Sequence, residues 1–123
     1  MKKFIGRKHE RINSLNLLNY SCVDQKTEQI IQGMGRTLNV SQGGILLETR
    51  VPMYSHYSVA LTIGLEDEMI DIDGQVIYCR EGGKGKYESG IEFKNINETS
   101  LRILNKYIVA FREHQKKTGG SES

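Results

Sequence analysis

Period-two alternation of apolar and polar residues is the strongest pattern along the chain, and each such stretch predicts a strand with one face for a core. Val59, Leu61, Ile63 and Leu65 alternate without a break. So do Ile70, Ile72, Gly74, Val76 and Tyr78, with Asp71, Asp73 and Gln75 turned the other way. Leu18, Tyr20 and Cys22 predict an earlier strand, and 30–39 a second, weakened by Gly33 and Gly35. A short third strand over 45–49 puts Ile45 and Leu47 on one face. Gly74 in mid-strand predicts a bulge or a sharp bend. Gly82-Gly83-Lys84-Gly85 reads as a hairpin loop, leading into a sixth strand with Tyr87, Ser89, Ile91 and Phe93 on one side and Glu88 and Glu92 on the other.

After Asn97 the period changes. Leu101, Leu104, Ile108 and Phe111 step by 3, 4 and 3, one stripe of an amphipathic helix. Asn97 is placed to cap it, Glu98 suits its positive end, and Arg112, Lys116 and Lys117 suit its negative end. Six strands followed by one helix predict an all-β fold, a six-stranded antiparallel split β-barrel plugged or flanked by a C-terminal α-helix. Residues 1–14 carry charge without apolar periodicity and read as an arm, 15–117 as the barrel with its helix, and 118–123 as a small polar, disordered tail.

Composition narrows the class. A chain of 123 residues with 37% hydrophobic and 26% charged residues fits one globular domain that needs no metal or disulfide staple. The net charge of +2 is far from the strongly basic balance of a duplex-binding protein. Phosphate binding would therefore have to come from a few placed arginines. Cys22 and Cys79 are distant from each other, lack metal-ligand spacing, and are expected as buried free thiols in a reducing cytosol. His9, His56 and His114 fall in three separate regions and are expected at the surface, with no metal site. No signal-peptide core follows the basic start, and no apolar run reaches the roughly 20 residues that span a bilayer. The chain reads as cytoplasmic.

Two short segments stand outside the core pattern. Arg7-Lys8-His9-Glu10-Arg11 sets two arginines four apart, on the same side of a helix or an extended chain. The planar guanidinium fork can bond phosphate oxygens or the O6 and N7 of guanine, and its face stacks on bases. Asn39-Val40-Ser41-Gln42-Gly43-Gly44 places Asn39 and Ser41 on one face of an extended chain ahead of a glycine turn, where polar side chains can read a base edge. Taken singly, the first is an ordinary basic tail and the second an ordinary turn.

Taken together, Arg-x-x-x-Arg, a gap of some 28 residues, and Asn-x-Ser-x-x-Gly, on a pattern of six strands and a helix, resemble the PilZ domain family. The resemblance runs from Arg7 to about Glu113 and includes Gly90-Ile91-Glu92-Phe93, similar to the family's Gly-Ile-x-Phe segment. It implies a six-stranded barrel whose ligand is cyclic di-GMP. Arg7 and Arg11 would clamp phosphates and guanine faces, Asn39 and Ser41 would hydrogen-bond the base, and Gly44 would shape the turn. Many members carry Asp where this chain has Asn39. Lys8, His9, Arg36, Gly43 and Arg80 are weaker candidates for ligand contact. Residues 1–11, with almost nothing apolar to bury, would order over the ligand, and the output would pass to a protein partner in motility, exopolysaccharide or pilus regulation.

Two other classes remain in view: a degenerate PilZ adaptor that binds protein alone, and a small barrel for single-stranded nucleic acid. Near-neutral charge and the absence of tryptophan weigh against the second. Nothing in the sequence supplies a nucleophile–base pair, a metal cluster or a phosphate-cradling loop, so an enzyme is not expected and no cofactor is implied. Tyr20, Tyr54, Tyr57, Tyr78, Tyr87 and Tyr107 read as packing residues of barrel and helix.

Overall fold

The computed structural model describes residues 16–55 and 57–122, with helix side chains as far as Lys116. Six strands form: β1 (Leu17–Asp24), β2 (Ile30–Val40), β3 (Gly44–Thr49), β4 (Tyr57–Leu65), β5 (Glu68–Gly83) and β6 (Lys86–Lys94). All neighbours are antiparallel, in the ring order β1-β2-β3-β6-β5-β4, and β4 pairs back onto β1 to close the barrel. One helix, α1 (Glu98–Glu122), follows.

The alternating residues do what their period requires. Leu18, Tyr20 and Cys22 from β1, Ile45 and Leu47 from β3, Val59, Leu61 and Ile63 from β4, Ile70, Ile72 and Val76 from β5, and Ile91 and Phe93 from β6 are all buried in one core. The α1 stripe adds Ile103, Leu104, Tyr107, Ile108 and Phe111 to the same core. Asn97 caps the helix as expected, its Oδ1 accepting the Ser100 N–H at 2.8 Å. Tyr107 is buried, and its hydroxyl lies 3.0 Å from the Thr37 hydroxyl of β2, so this inward polar atom has a partner.

Several expectations change. The Gly82–Gly85 loop shrinks to Lys84-Gly85, both with positive φ (57° and 74°), the backbone shape that matches a two-residue turn to strand twist. Gly74 marks a close approach rather than a bulge: a Cβ there would meet Ile91 Cγ2 at 2.6 Å. The extra residue in β5 is Ile77, because Val76 pairs with Ile91 and Tyr78 with the next residue back, Gly90. That insertion turns Tyr78 out of the core, and Tyr54 is exposed as well. Cys79, beyond the same bulge, is half-buried rather than buried, and His114 is likewise half-buried. The helix backbone continues to Glu122, past Lys117, since each residue added to a helix already anchored by packing closes its own backbone hydrogen bond. The 1–14 arm and Ser123 lie outside the described residues, as does His56.

Two outcomes test this core. Tyr107→Phe leaves the buried Thr37 hydroxyl without its partner and should cost about 1–2 kcal/mol in urea unfolding. Burial pushes the Cys22 thiol up from 9.0 to about 11. Between those values the unfolded chain has lost a proton that the folded protein keeps, so stability should fall as pH rises from 9 to 11. Urea titrations across that window should show a shallower decline for Cys22→Ala than for the unaltered protein.

Candidate ligand-binding site

The expected turn is built by backbone bonds on both sides. The Ser41 N–H donates to the Gly44 carbonyl at 2.9 Å, and the Phe93 N–H of β6 donates to the Gly43 carbonyl at 2.9 Å, which stitches the turn to the neighbouring strand. Gly44 has no room for a side chain, since a Cβ would sit 2.4 Å from the Ile91 carbonyl oxygen. Gly43, one residue earlier, faces open space. Within the turn, the Asn39 Oδ1 accepts the Val40 N–H at 2.9 Å and the Ser41 Oγ accepts the Gly43 N–H at 3.3 Å. Each of these oxygens accepts one bond within the turn, and the Asn39 amide N–H groups and the Ser41 O–H are donors the turn can offer a ligand. Across the turn, the Gln42 Nε2 donates to Asn105 Oδ1 of α1 at 2.7 Å.

Asn39 faces outward because β2 carries a bulge. Thr37 pairs with Leu47 and Asn39 with Leu46, leaving Leu38 as the extra residue. Strict alternation from the buried Thr37 would send Asn39 inward; the inserted residue reverses it. The registers then align one row across four strands: Asn39 of β2, Leu46 of β3, Gly90 of β6 and Tyr78 of β5.

This row crosses an open cleft of about 330 Å³ lined by Asn39, Ser41, Gly43, Gly44, Ile77 and Tyr78, among others. The fold thus brings together four of the expected residues. Arg36 and Arg80 do not line it: each is ion-paired across a strand pair, Arg36 with Glu48 at 3.1 Å and Arg80 with Glu88 at 3.0 Å. Arg7, Lys8, His9 and Arg11 lie outside the described residues. Ile77, Tyr78 and Glu92 are cleft residues that the sequence reading did not name as a site. A second recess of about 420 Å³ crosses β1, β4 and β5 and contains none of the expected residues. Among the described residues no helix is long and apolar enough to cross a membrane.

A family model for the PilZ domain matches residues 6–110, so the chain belongs to the PilZ domain family. Solved structures agree on the fold. The PilZ domain with c-di-GMP of YcgR from Escherichia coli is 17% identical, with a TM-score of 0.57 over 83% of this chain and 88% of that one. The PilZ domain of CeSA from a cellulose-synthesizing bacterium is 13% identical, with a TM-score of 0.51 over 78% of this chain and 93% of that one. The Bacillus subtilis inhibitor of motility, MotI/DgrA, is 20% identical with a TM-score of 0.59, over 81% of this chain but 49% of its own. This chain therefore spans about half of MotI. No curated protein matches the chain significantly in sequence.

The two turn glycines make a paired test. Gly44→Ala forces Cβ against the Ile91 backbone and should destabilise the barrel by about 1–3 kcal/mol. Gly43→Ala, with nothing in the way, should unfold within about 0.5 kcal/mol of the parent in the same urea titration.

Proposed function

We propose that this protein is a cytoplasmic receptor for cyclic di-GMP, a binding module rather than an enzyme, and that the Asn39–Gly44 cleft takes the ligand. The observation that carries the reading is the outward pair Asn39 and Ser41 at the rim of a cleft, in a turn that offers side-chain N–H and O–H donors while its oxygens already accept backbone bonds. Guanine presents two acceptors, O6 and N7, on one edge, and the phosphates present more. Adenine presents a donor where guanine has O6, so the same turn would discriminate against it.

The arm has the reach to complete the site. β1 starts at Leu17, whose partner on β2 is Arg36, three residues before Asn39. Arg11 precedes Leu17 by six residues, a tether of up to about 20 Å when extended. Binding would fix the arm over the cleft, with Arg7 and Arg11 on phosphates and guanine faces and Lys8 and His9 nearby. Coupling ligand occupancy to the placement of a segment is a common form of switch. A protein partner would read the result. The likeness to an inhibitor of motility and to a domain from a cellulose-synthesizing bacterium supports motility and exopolysaccharide control as the first partner classes to test, with pilus systems third.

Charge-assisted hydrogen bonds contribute about 1.5–3 kcal/mol each. Calorimetric titration with cyclic di-GMP should therefore show binding that weakens roughly 10- to 100-fold in Arg11→Ala and in Arg7→Ala, and measurably in Ser41→Ala. GTP and cyclic di-AMP serve as controls. Absence of cyclic di-GMP binding, or affinity unchanged in all three variants, would remove this site.

A further inference from the structure

We infer that Tyr78 forms the stacking wall of the cleft, one of the surfaces against which a bound purine lies, and that Gly90 is the residue that positions its ring. The inference rests on the cyclic di-GMP reading above and adds a residue and a subsite to it.

Tyr78 reaches the cleft by the same device as Asn39. In β5 the residues Ile72, Gly74 and Val76 are buried in strict alternation, and Tyr78 is next in the series. The extra residue Ile77 reverses the alternation and leaves two large side chains exposed together, Ile77 at 54% and Tyr78 at 46%. Both line the same cleft as Asn39 and Ser41. Bulges in two strands, one at Leu38 and one at Ile77, therefore turn Asn39 and Tyr78 outward at the two ends of the same four-strand row. Bulges are a means of re-aiming side chains next to binding sites.

Of the two residues between them in the row, Leu46 and Gly90, the one beside Tyr78 has no side chain. Tyr78 stands directly across from Gly90, and a Cβ on Gly90 would lie 2.4 Å from the ring carbon Cε2 and 2.9 Å from Cζ. The ring is thus laid over the glycine backbone, a cross-strand arrangement of aromatic and glycine that fixes ring orientation. Two pairs further from the Gly44 turn, Arg80 is held by Glu88 through two bonds to one oxygen, at 3.0 and 3.2 Å, with its guanidinium carbon 5.9 Å from the Tyr78 ring centre. A cation thus stands at the outer edge of cation–π range from the ring. A flat, oriented aromatic surface in the same cleft as two hydrogen-bond donors suits a flat ligand with acceptors on its edge, which is the chemistry of guanine.

A purely structural Tyr78 would merely cover Gly90, and three measurements separate the roles. Calorimetry with cyclic di-GMP should show Tyr78→Leu about 10- to 100-fold weaker than the parent and Tyr78→Phe within threefold, because stacking needs the ring and not the hydroxyl. Gly90→Ala should weaken binding in the parent and add nothing in the Tyr78→Leu background, the signature of one residue acting through the other. In the unaltered protein, a nuclear Overhauser contact should join the Tyr78 ring protons to guanine H8, a readout that does not depend on any variant folding. If the parent binds cyclic di-GMP while Tyr78→Leu stays within threefold of it, or the Overhauser contact is missing, the stacking wall is refuted and the receptor reading stands. If the parent does not bind cyclic di-GMP, both fall.

Discussion

The barrel depends on how closely β6 approaches both of its neighbours at Ile91. That residue pairs with Ile45 of β3 on one side and Val76 of β5 on the other, and all three side chains are buried. Beside it stand two glycines that could be nothing larger. A Cβ on Gly44 would meet the Ile91 carbonyl oxygen at 2.4 Å, and one on Gly74 would meet Ile91 Cγ2 at 2.6 Å and the Glu92 carbonyl oxygen at 3.0 Å. Close-packed interiors do not yield to such intrusions without moving backbone. The three-strand approach lets six strands curl into a ring. It also seats the Gly43 carbonyl on the Phe93 N–H, which holds the polar turn against the barrel wall. Core and candidate site therefore share one constraint, and Gly44 serves both.

That sharing explains which parts of the protein could be read in the chain. A barrel interior admits only residues of one face, so period two is imposed wherever a strand runs straight, and β4, the first half of β5, and β6 carry it openly. The helix stripe ending at Phe111 is equally plain, as is the Asn97 cap. Bulges leave no such mark. Adding Ile77 to β5 alters neither composition nor apparent rhythm, since Val76, Ile77 and Tyr78 are all apolar enough to continue the strand. Alternation accordingly sends Tyr78 inward, where the fold sends it outward. Gly74 drew the expectation of a bulge because glycine serves bulges and close approaches alike; only the position of Ile91 separates the two.

The site was legible in unequal parts. Asn39, Ser41 and Gly44 stand out through their spacing and the family resemblance, yet the outward aim of Asn39 relies on the extra residue Leu38, which spacing does not reveal. Arg36 and Arg80 looked available because a lone arginine in a strand has no visible partner in sequence. Cross-strand register supplies one in each case, Glu48 twelve residues on and Glu88 eight residues on. These exposed pairs contribute little stability, but they occupy the guanidinium groups where they stand. On the receptor reading, ion pairing of these two would leave phosphate contacts to the Arg7–Arg11 arm.

Any signal transfer on the receptor reading is bounded by the same energetics. The turn touches α1 through a single described hydrogen bond, Gln42 to Asn105, on the protein surface. A neutral bond of this kind has a net worth of about 1 kcal/mol, so making or breaking it shifts a helix equilibrium by roughly fivefold. A switch that carries a population from mostly one state to mostly the other needs about 5.5 kcal/mol of differential binding. The turn–helix contact falls well short of that. Two arginines each making charge-assisted bonds reach that scale. On the receptor reading, then, the large conformational consequence of binding belongs to the arm, and the helix registers it only faintly. A partner that responds in an all-or-none way must contact the surface the arm creates.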